Sequence, residues 1–350
     1  MNKRTKVFIG VMVVFLAAGF VFVIPPLRER VINRLGIWYE QIQAAFFPPE
    51  EVVFIPQGTV LPTITPSNAT ATPTLQPTPV VIIATPSPTV EPTPLPAVVK
   101  LSGVKYEDQH GLWNYCGPTN LAMALSFWGW DGTRIDTGDW LMPINSDVTR
   151  DVYDKNVMPY EMQDYVKSQT ALNATVRQGG SISLLKAFLA AGYPVLIEKG
   201  TFITETNTGL LSWMGHYQVL TGYDDNKQQF IAQDSYFTPD YPVAYDTFIG
   251  EWRAFNFIFV IIHPYDKEEE VMRLLGPLAN ENQADQLAAQ KALDETQSLT
   301  GIDQFFAWFN RGTSLVRLTD YTGAAAAYDQ AYLVYPTIPE AKRPRSEEHT

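Results

Sequence analysis

One cysteine, Cys116, stands among 350 residues. No disulfide within the chain is possible, so stability must come from burial, and the thiol is either reactive or buried. Histidine is also scarce, with His110, His216, His263 and His349 making up the full complement of four. Positive charge is outweighed: 25 Lys and Arg face 37 Asp and Glu, for a net charge of −12. That balance argues against nucleic-acid binding, and no basic stripe interleaved with aromatic residues offsets it. Cys-x-x-Cys, His-Glu-x-x-His and calcium-loop spacings are missing, so no bound metal or other cofactor is expected.

What is present centres on Trp113-Asn114-Tyr115-Cys116-Gly117-Pro118-Thr119-Asn120-Leu121. From Leu121 the apolar residues Leu121, Leu125 and Trp128 recur at helical spacing, and Pro118 suits a first turn, where a missing N–H is no loss. Cys116 is therefore expected at the N-terminus of a buried helix. There the helix dipole and free backbone N–H groups favour a negatively charged sulfur. The bland alternative is a small buried hydrophobe.

A sulfur nucleophile needs an imidazole partner. His349 lies in a polar tail, His263 reads as a strand end after Phe257–Ile262, and His110 is too near in sequence to be an obvious partner. His216 opens the alternating run Tyr217–Tyr223, which reads as a strand, and Trp213 and Gly215 before it mark a close backbone approach. The turn residues Asp224–Lys227 return the chain into Gln229–Gln233, whose end, Asp234, comes back beside His216. A carboxylate there can fix the ring's tautomer and stabilise imidazolium. Asp224 and Asp225 read as turn residues. Gln109, upstream of Cys116, supplies a side-chain amide for an oxyanion or else is a solvated loop residue.

In that order Gln109, Cys116-Gly117-Pro118, His216 and Asp234 resemble the papain-like cysteine peptidases of family 39, over about Lys100 to Pro264. The family includes the proteases that remove double-glycine leaders from bacteriocins. The resemblance implies an α+β papain-like fold with the Cys helix packed on an antiparallel sheet. It also implies peptide-bond hydrolysis by Cys116, His216 and Asp234, with Gln109 at the oxyanion. Gln109 departs from the pattern by standing seven positions before Cys116, slightly more than is usual.

The rest of the chain divides by composition. Residues 1–6 read as a cytoplasmic tail and Val7–Ile24 as an unbroken apolar run of eighteen residues, about 27 Å as a helix and enough to span a bilayer core. We assign it as a single-pass signal anchor, with the bulk of the chain outside the cell membrane. Residues 25–47 read as an amphipathic stretch that lies on the membrane surface, continues the anchor or forms a dimerising helix. Residues 48–99 are rich in Pro and Thr and read as an extended linker with a reach of roughly 150 Å. Residues 100–266 hold the peptidase-like domain. Within it Met158–Val166, with a helix beginning after Pro159, Ser181–Ala191 and Pro194–Glu198 read as helix, helix and strand, while Trp140, Trp213 and Trp252 are either plain core or the walls of a cleft. Asn68-Ala69-Thr70 and Asn173-Ala174-Thr175 match the glycosylation acceptor pattern.

Residues 267–344 read as amphipathic helices. Trp308, Gly312, Leu315, Ala324, Tyr328, Ala331 and Pro336 are similar to a tetratricopeptide repeat, which implies a surface for a protein partner. Residues 345–350 are similar to the translation of a sequencing-adapter end, so the reading frame is expected to be interrupted there. The functional expectation is a membrane-anchored extracytoplasmic cysteine peptidase acting on a peptide or protein. The rivals are acyl transfer on the same fold, or an inactive peptide-binding module.

Overall fold

The computed structural model describes residues 94–112, 114–142, 156–204 and 211–339, without the side chains of 201–213. The apolar run at 7–24, the stretch at 25–47, nearly all of the linker and the tail at 345–350 lie outside these residues. Among the described residues no helix is long and apolar enough to cross a membrane.

Val, Ile and aromatic residues in short runs build a seven-stranded antiparallel sheet. Its strands are β1 (Val98–Lys100), β2 (Leu172–Arg177), β3 (Val195–Thr204), β4 (Leu211–Asp224), β5 (Gln229–Gln233), β6 (Tyr241–Ala244) and β7 (Phe259–Pro264). The order across the sheet is β2-β7-β3-β4-β5-β6, with β1 also on β4. Both β3 and β4 are longer than their apolar cores suggest: the pairing runs from Val195 opposite Leu220 out to Thr204 opposite Leu211. The sheet also begins inside the stretch read as linker. Val98 pairs with Asp224, and Tyr223 Oη donates to the Pro96 carbonyl at 2.7 Å.

Consecutive residues of a strand face opposite ways, and both faces of this sheet are covered. Leu196, Val219, Val260 and Ile262 pack against α1 (Cys116–Ser126) and α3 (Pro159–Gln169) through Leu121, Met123, Leu125, Met162 and Val166. Between those helices lies α2 (Arg134–Leu141), capped by Thr133, whose Oγ1 accepts from Ile135 N at 3.3 Å. Val195, Ile197, Leu220, Phe259 and Ile261 meet α4 (Ile182–Ala190), α5 (Tyr245–Arg253) and α6 (Glu268–Leu275). Ser181 caps α4 by accepting from Leu184 N at 3.2 Å. Each large apolar side chain so buried contributes roughly 1.5–3 kcal/mol. Trp252 belongs to this second core: it is 1 % exposed and its indole N–H donates to Ile258 O at 2.6 Å, so it is not a cleft wall. Trp140 is half-exposed and lies edge-on to Tyr165, and the side chain of Trp213 is outside the description.

Three further helices follow, α7 (Glu281–Ser298), α8 (Gly301–Arg317) and α9 (Tyr321–Val334). At Gly312 the helices α8 and α9 approach closely, since a Cβ there would lie 2.5 Å from the Tyr328 ring. Arg177 fastens β2 to this end of the chain by donating to Leu278 O and Ala279 O at 2.7 and 2.8 Å. Asn173 is committed inside the fold: it lies in β2 and its amide donates to Glu268 at 2.5 Å, which leaves the acceptor pattern there no free asparagine. The pattern at Asn68 falls outside the described residues.

Candidate active site

Helix α1 delivers Cys116 as its first residue, and Cys116 through Leu125 are all buried. The helix lacks a side-chain cap. Its start is fixed from outside, with Thr137 Oγ1 of α2 donating to Pro118 O at 2.9 Å. Backbone N–H groups of an uncapped first turn stay available to an anion, which suits a sulfur or an oxyanion.

Strand β4 brings in His216, 2 % exposed, and Asp234 follows directly after β5, fully buried. Asp234 Oδ1 accepts from His216 Nε2 at 2.9 Å. The Cys116 thiol is the ring's other hydrogen-bonding partner, which leaves Nδ1 to face the sulfur. Burial lowers the His216 pKa, but the Asp234 charge and hydrogen bond, together with Cys116, outweigh it and lift the ring to about 9. At neutral pH the imidazole is therefore a cation. Burial likewise raises Asp234, yet the His216 charge, the hydrogen bonds from His216 and Gln218 and the Phe237 N–H bring its pKa down to about 2.

That carboxylate is held on every side. Oδ1 also accepts from Tyr236 N at 2.8 Å and Phe237 N at 3.1 Å, and Oδ2 accepts from the Gln218 amide. The Tyr236 ring stands edge-on to His216, with centroids 6.3 Å apart. An aromatic lid of that kind keeps water from the ion pair and strengthens it.

Gln109 is buried and reaches the site through Ser235. Asn120 Nδ2 donates to Cys116 O at 2.9 Å and to Ser235 Oγ at 2.8 Å, and Ser235 Oγ donates to Gln109 Oε1 at 2.6 Å. The chain of donors runs one way, so Gln109 spends its carbonyl on Ser235. Gln109 N also donates to Ser235 O at 2.9 Å.

The structure thus brings Cys116, His216 and Asp234 together and ties Gln109 to Cys116 through two side chains. The other histidines go elsewhere. His263 is buried in β7 with Nδ1 on Pro264 O at 2.9 Å, and His110 is exposed with Nδ1 2.6 Å from Asp108 and its ring 4.9 Å from Tyr236. His349 falls outside the described residues. Asp224 caps its own turn by accepting from Asn226 N at 3.0 Å. Asp225 is more than a turn residue, because it takes Lys186 Nζ at 2.5 Å and Tyr245 Oη at 2.8 Å and so links α4 to α5.

The sequence reading passed over Asn120, Gln218, Ser235 and Tyr236. Two had a usable signal: Asn120 is one helical turn from Cys116, and Gln218 is two strand positions from His216. Glu198 was also passed over. It lies opposite Tyr217, and burial lifts its carboxyl to about 8 against a lowering hydrogen bond from Tyr217.

A sulfur at a helix start, an imidazole paired with a buried carboxylate, and a helix-on-sheet frame define the cysteine-peptidase class of site. The Peptidase_C39 like family model matches residues 101–285, more than half of the chain, and the chain belongs to that family. Two solved structures are similar over part of it. One is a C39-like peptidase from Bacillus anthracis, 20 % identical with a TM-score of 0.36, covering 47 % of this chain and 96 % of that one. The other is xylellain, a cysteine protease from Xylella fastidiosa, 17 % identical with a TM-score of 0.36, covering 49 % of this chain and 87 % of that one. No curated protein matches. The family match stops before α8 and α9 and says nothing of a repeat there.

Proposed function

We propose that this chain is a cysteine peptidase held on the outer side of a membrane by Val7–Ile24, with the Pro- and Thr-rich stretch as its stalk. The observation that carries the reading is the His216 ring held between the Asp234 carboxylate and the Cys116 thiol. In the reaction the Cys116 sulfur, its proton passed to His216, attacks the carbonyl carbon of a peptide bond. Charge gathers on the carbonyl oxygen, where the Cys116 N–H and the Gln109 amide receive it; one such donor is worth about 10²–10³ in rate. His216 gives its proton to the departing amine as the C–N bond breaks, leaving a thioester on Cys116. Water, deprotonated by the same ring, then releases the acid and restores the thiol. Asp234 holds the ring's orientation and favours its charged form.

The substrate is a peptide or protein segment. Helices α8 and α9 are proposed as the start of a tetratricopeptide-like surface, and their tight approach at Gly312 and Tyr328 supports this. Turnover of a broad peptide library by wild type and Cys116→Ala tests the function. Cleavage by wild type that vanishes in the variant is expected; equal cleavage by both refutes it.

A further inference from the structure

Helix α5 ends at Arg253, and the four residues after it do something unusual. Asn256 and Phe257 both take positive φ, 51° and 54°, a conformation that asparagine tolerates but a bulky residue rarely adopts. Such a turn persists only where its surroundings hold it, and here the C-terminal helices do. Asn310 of α8 donates to Arg253 O at 2.7 Å, and Asn256 Nδ2 donates to Ser314 Oγ of α8 at 2.8 Å. Arg253 reaches Asp303 at 2.8 Å and Glu295 at 3.2 Å. Lys291 of α7 sits 3.1 Å from the centroid of the Phe257 ring. Ala254 is buried with Phe305, Phe306 and Ala331, and Phe255 packs against that cluster.

On its other side Phe255 meets the catalytic strand. A Cβ at Gly215 would lie 2.9 Å from Phe255 Cζ, so the ring rests on bare backbone directly before His216. Across the strand pair His216 stands opposite Lys199, which is 2 % exposed and donates to Glu251 of α5 at 2.7 Å. The loop after α5 therefore backs β4 at Gly215, and α5 itself ties down the neighbouring strand at Lys199, opposite His216.

We propose that Phe255 is a positioning residue through which α7, α8 and α9 set the place of His216, so that these helices are part of the peptidase's working structure. The proposal rests on the peptidase reading above. Without the ring, β4 at Gly215 loses its backing, and His216 drifts relative to both Cys116 and Asp234. A displacement of about 1 Å in a reacting group costs up to about 10²-fold in rate.

The test uses the full-length chain with Phe255→Ala, Phe255→Leu and Asn310→Ala, and Tyr332→Ala on the exposed side of α9 as the control. Steady-state kinetics on a cleaved peptide are read beside the titration of the His216 ring by NMR. Phe255→Ala is expected to lower kcat about 10- to 100-fold with KM little changed. It is also expected to move the ring titration from about 9 towards its ordinary value. Phe255→Leu should restore most of both, Asn310→Ala should shift both in the same direction by less, and Tyr332→Ala should change neither. A folded Phe255→Ala with unchanged kcat and ring titration overturns the proposal. If Phe255→Ala does not fold, unchanged kcat and an unshifted titration in Asn310→Ala overturn it. Should Cys116→Ala retain full turnover, the peptidase reading falls alone, because the ring titration still reports on Phe255.

Discussion

Replacing Asp234 by Asn removes the charge that outweighs burial at His216. The ring's rise from 6.5 to about 9 corresponds to on the order of 3 kcal/mol, and the carboxyl's fall from 3.8 to about 2 to on the order of 2 kcal/mol. Both describe one contact and are not added, and asparagine keeps a hydrogen bond, so a stability loss of about 2–3 kcal/mol is expected. The sign differs between the two partners. A raised histidine stabilises fully below its unfolded value of 6.5 and loses this as pH rises through about 9. A depressed aspartate stabilises above 3.8 and loses this as pH falls through about 2. The gap between wild type and Asp234→Asn in urea unfolding should therefore be widest between about pH 4 and 6.5 and close on both sides. In the pH–rate profile the alkaline limb should move down from about 9. A ring back at its ordinary 6.5 is about one-quarter charged at pH 7, so kcat/KM drops at least about fourfold there. Asp224→Asn, confined to its turn, serves as the control. An alkaline limb that stays in place in Asp234→Asn, or the same loss in Asp224→Asn, refutes the reasoning.

Cys116 should react with iodoacetamide faster than a free thiol near neutral pH, and His216→Ala should slow it; mass spectrometry over time checks this. Trp252→Ala should destabilise by about 3–5 kcal/mol in chemical unfolding, because the indole is fully enclosed and bonded to Ile258 O. A chain starting at Leu95 should stay folded with unchanged Cys116 reactivity, whereas one starting at Leu101 should lose stability with the β1 pairing at Val98–Lys100.

Much of the placement of Cys116, His216 and Asp234 was legible because it depends on order and local pattern. Cys116 before a proline-started helix, His216 opening an alternating run and Asp234 closing its hairpin partner are each specified within a few residues of sequence. Gln229–Gln233 matches β5 as read for the same reason. The supports were harder to see. Ser235 lies 126 residues from the Gln109 side chain it binds, and a contact of that separation leaves no periodicity to read. Helix α5 was missed because its apolar residues Phe248 and Trp252 sit among polar ones in a short segment that follows a strand. Trp252 stood between cleft and core because an indole serves either, and only packing decides for the core. Phe255 gave no signal, since a ring over a distant glycine backbone is a purely tertiary arrangement.

The central claim is that Cys116 forms a covalent acyl intermediate with a peptide. Acid-quenching the protein during turnover of a peptide mixture, followed by intact-mass and fragment analysis, tests it directly. A peptide fragment joined as a thioester at Cys116 in wild type, missing in Cys116→Ala along with turnover, is the predicted result. Turnover without any adduct at Cys116, or turnover that survives Cys116→Ala, would contradict it.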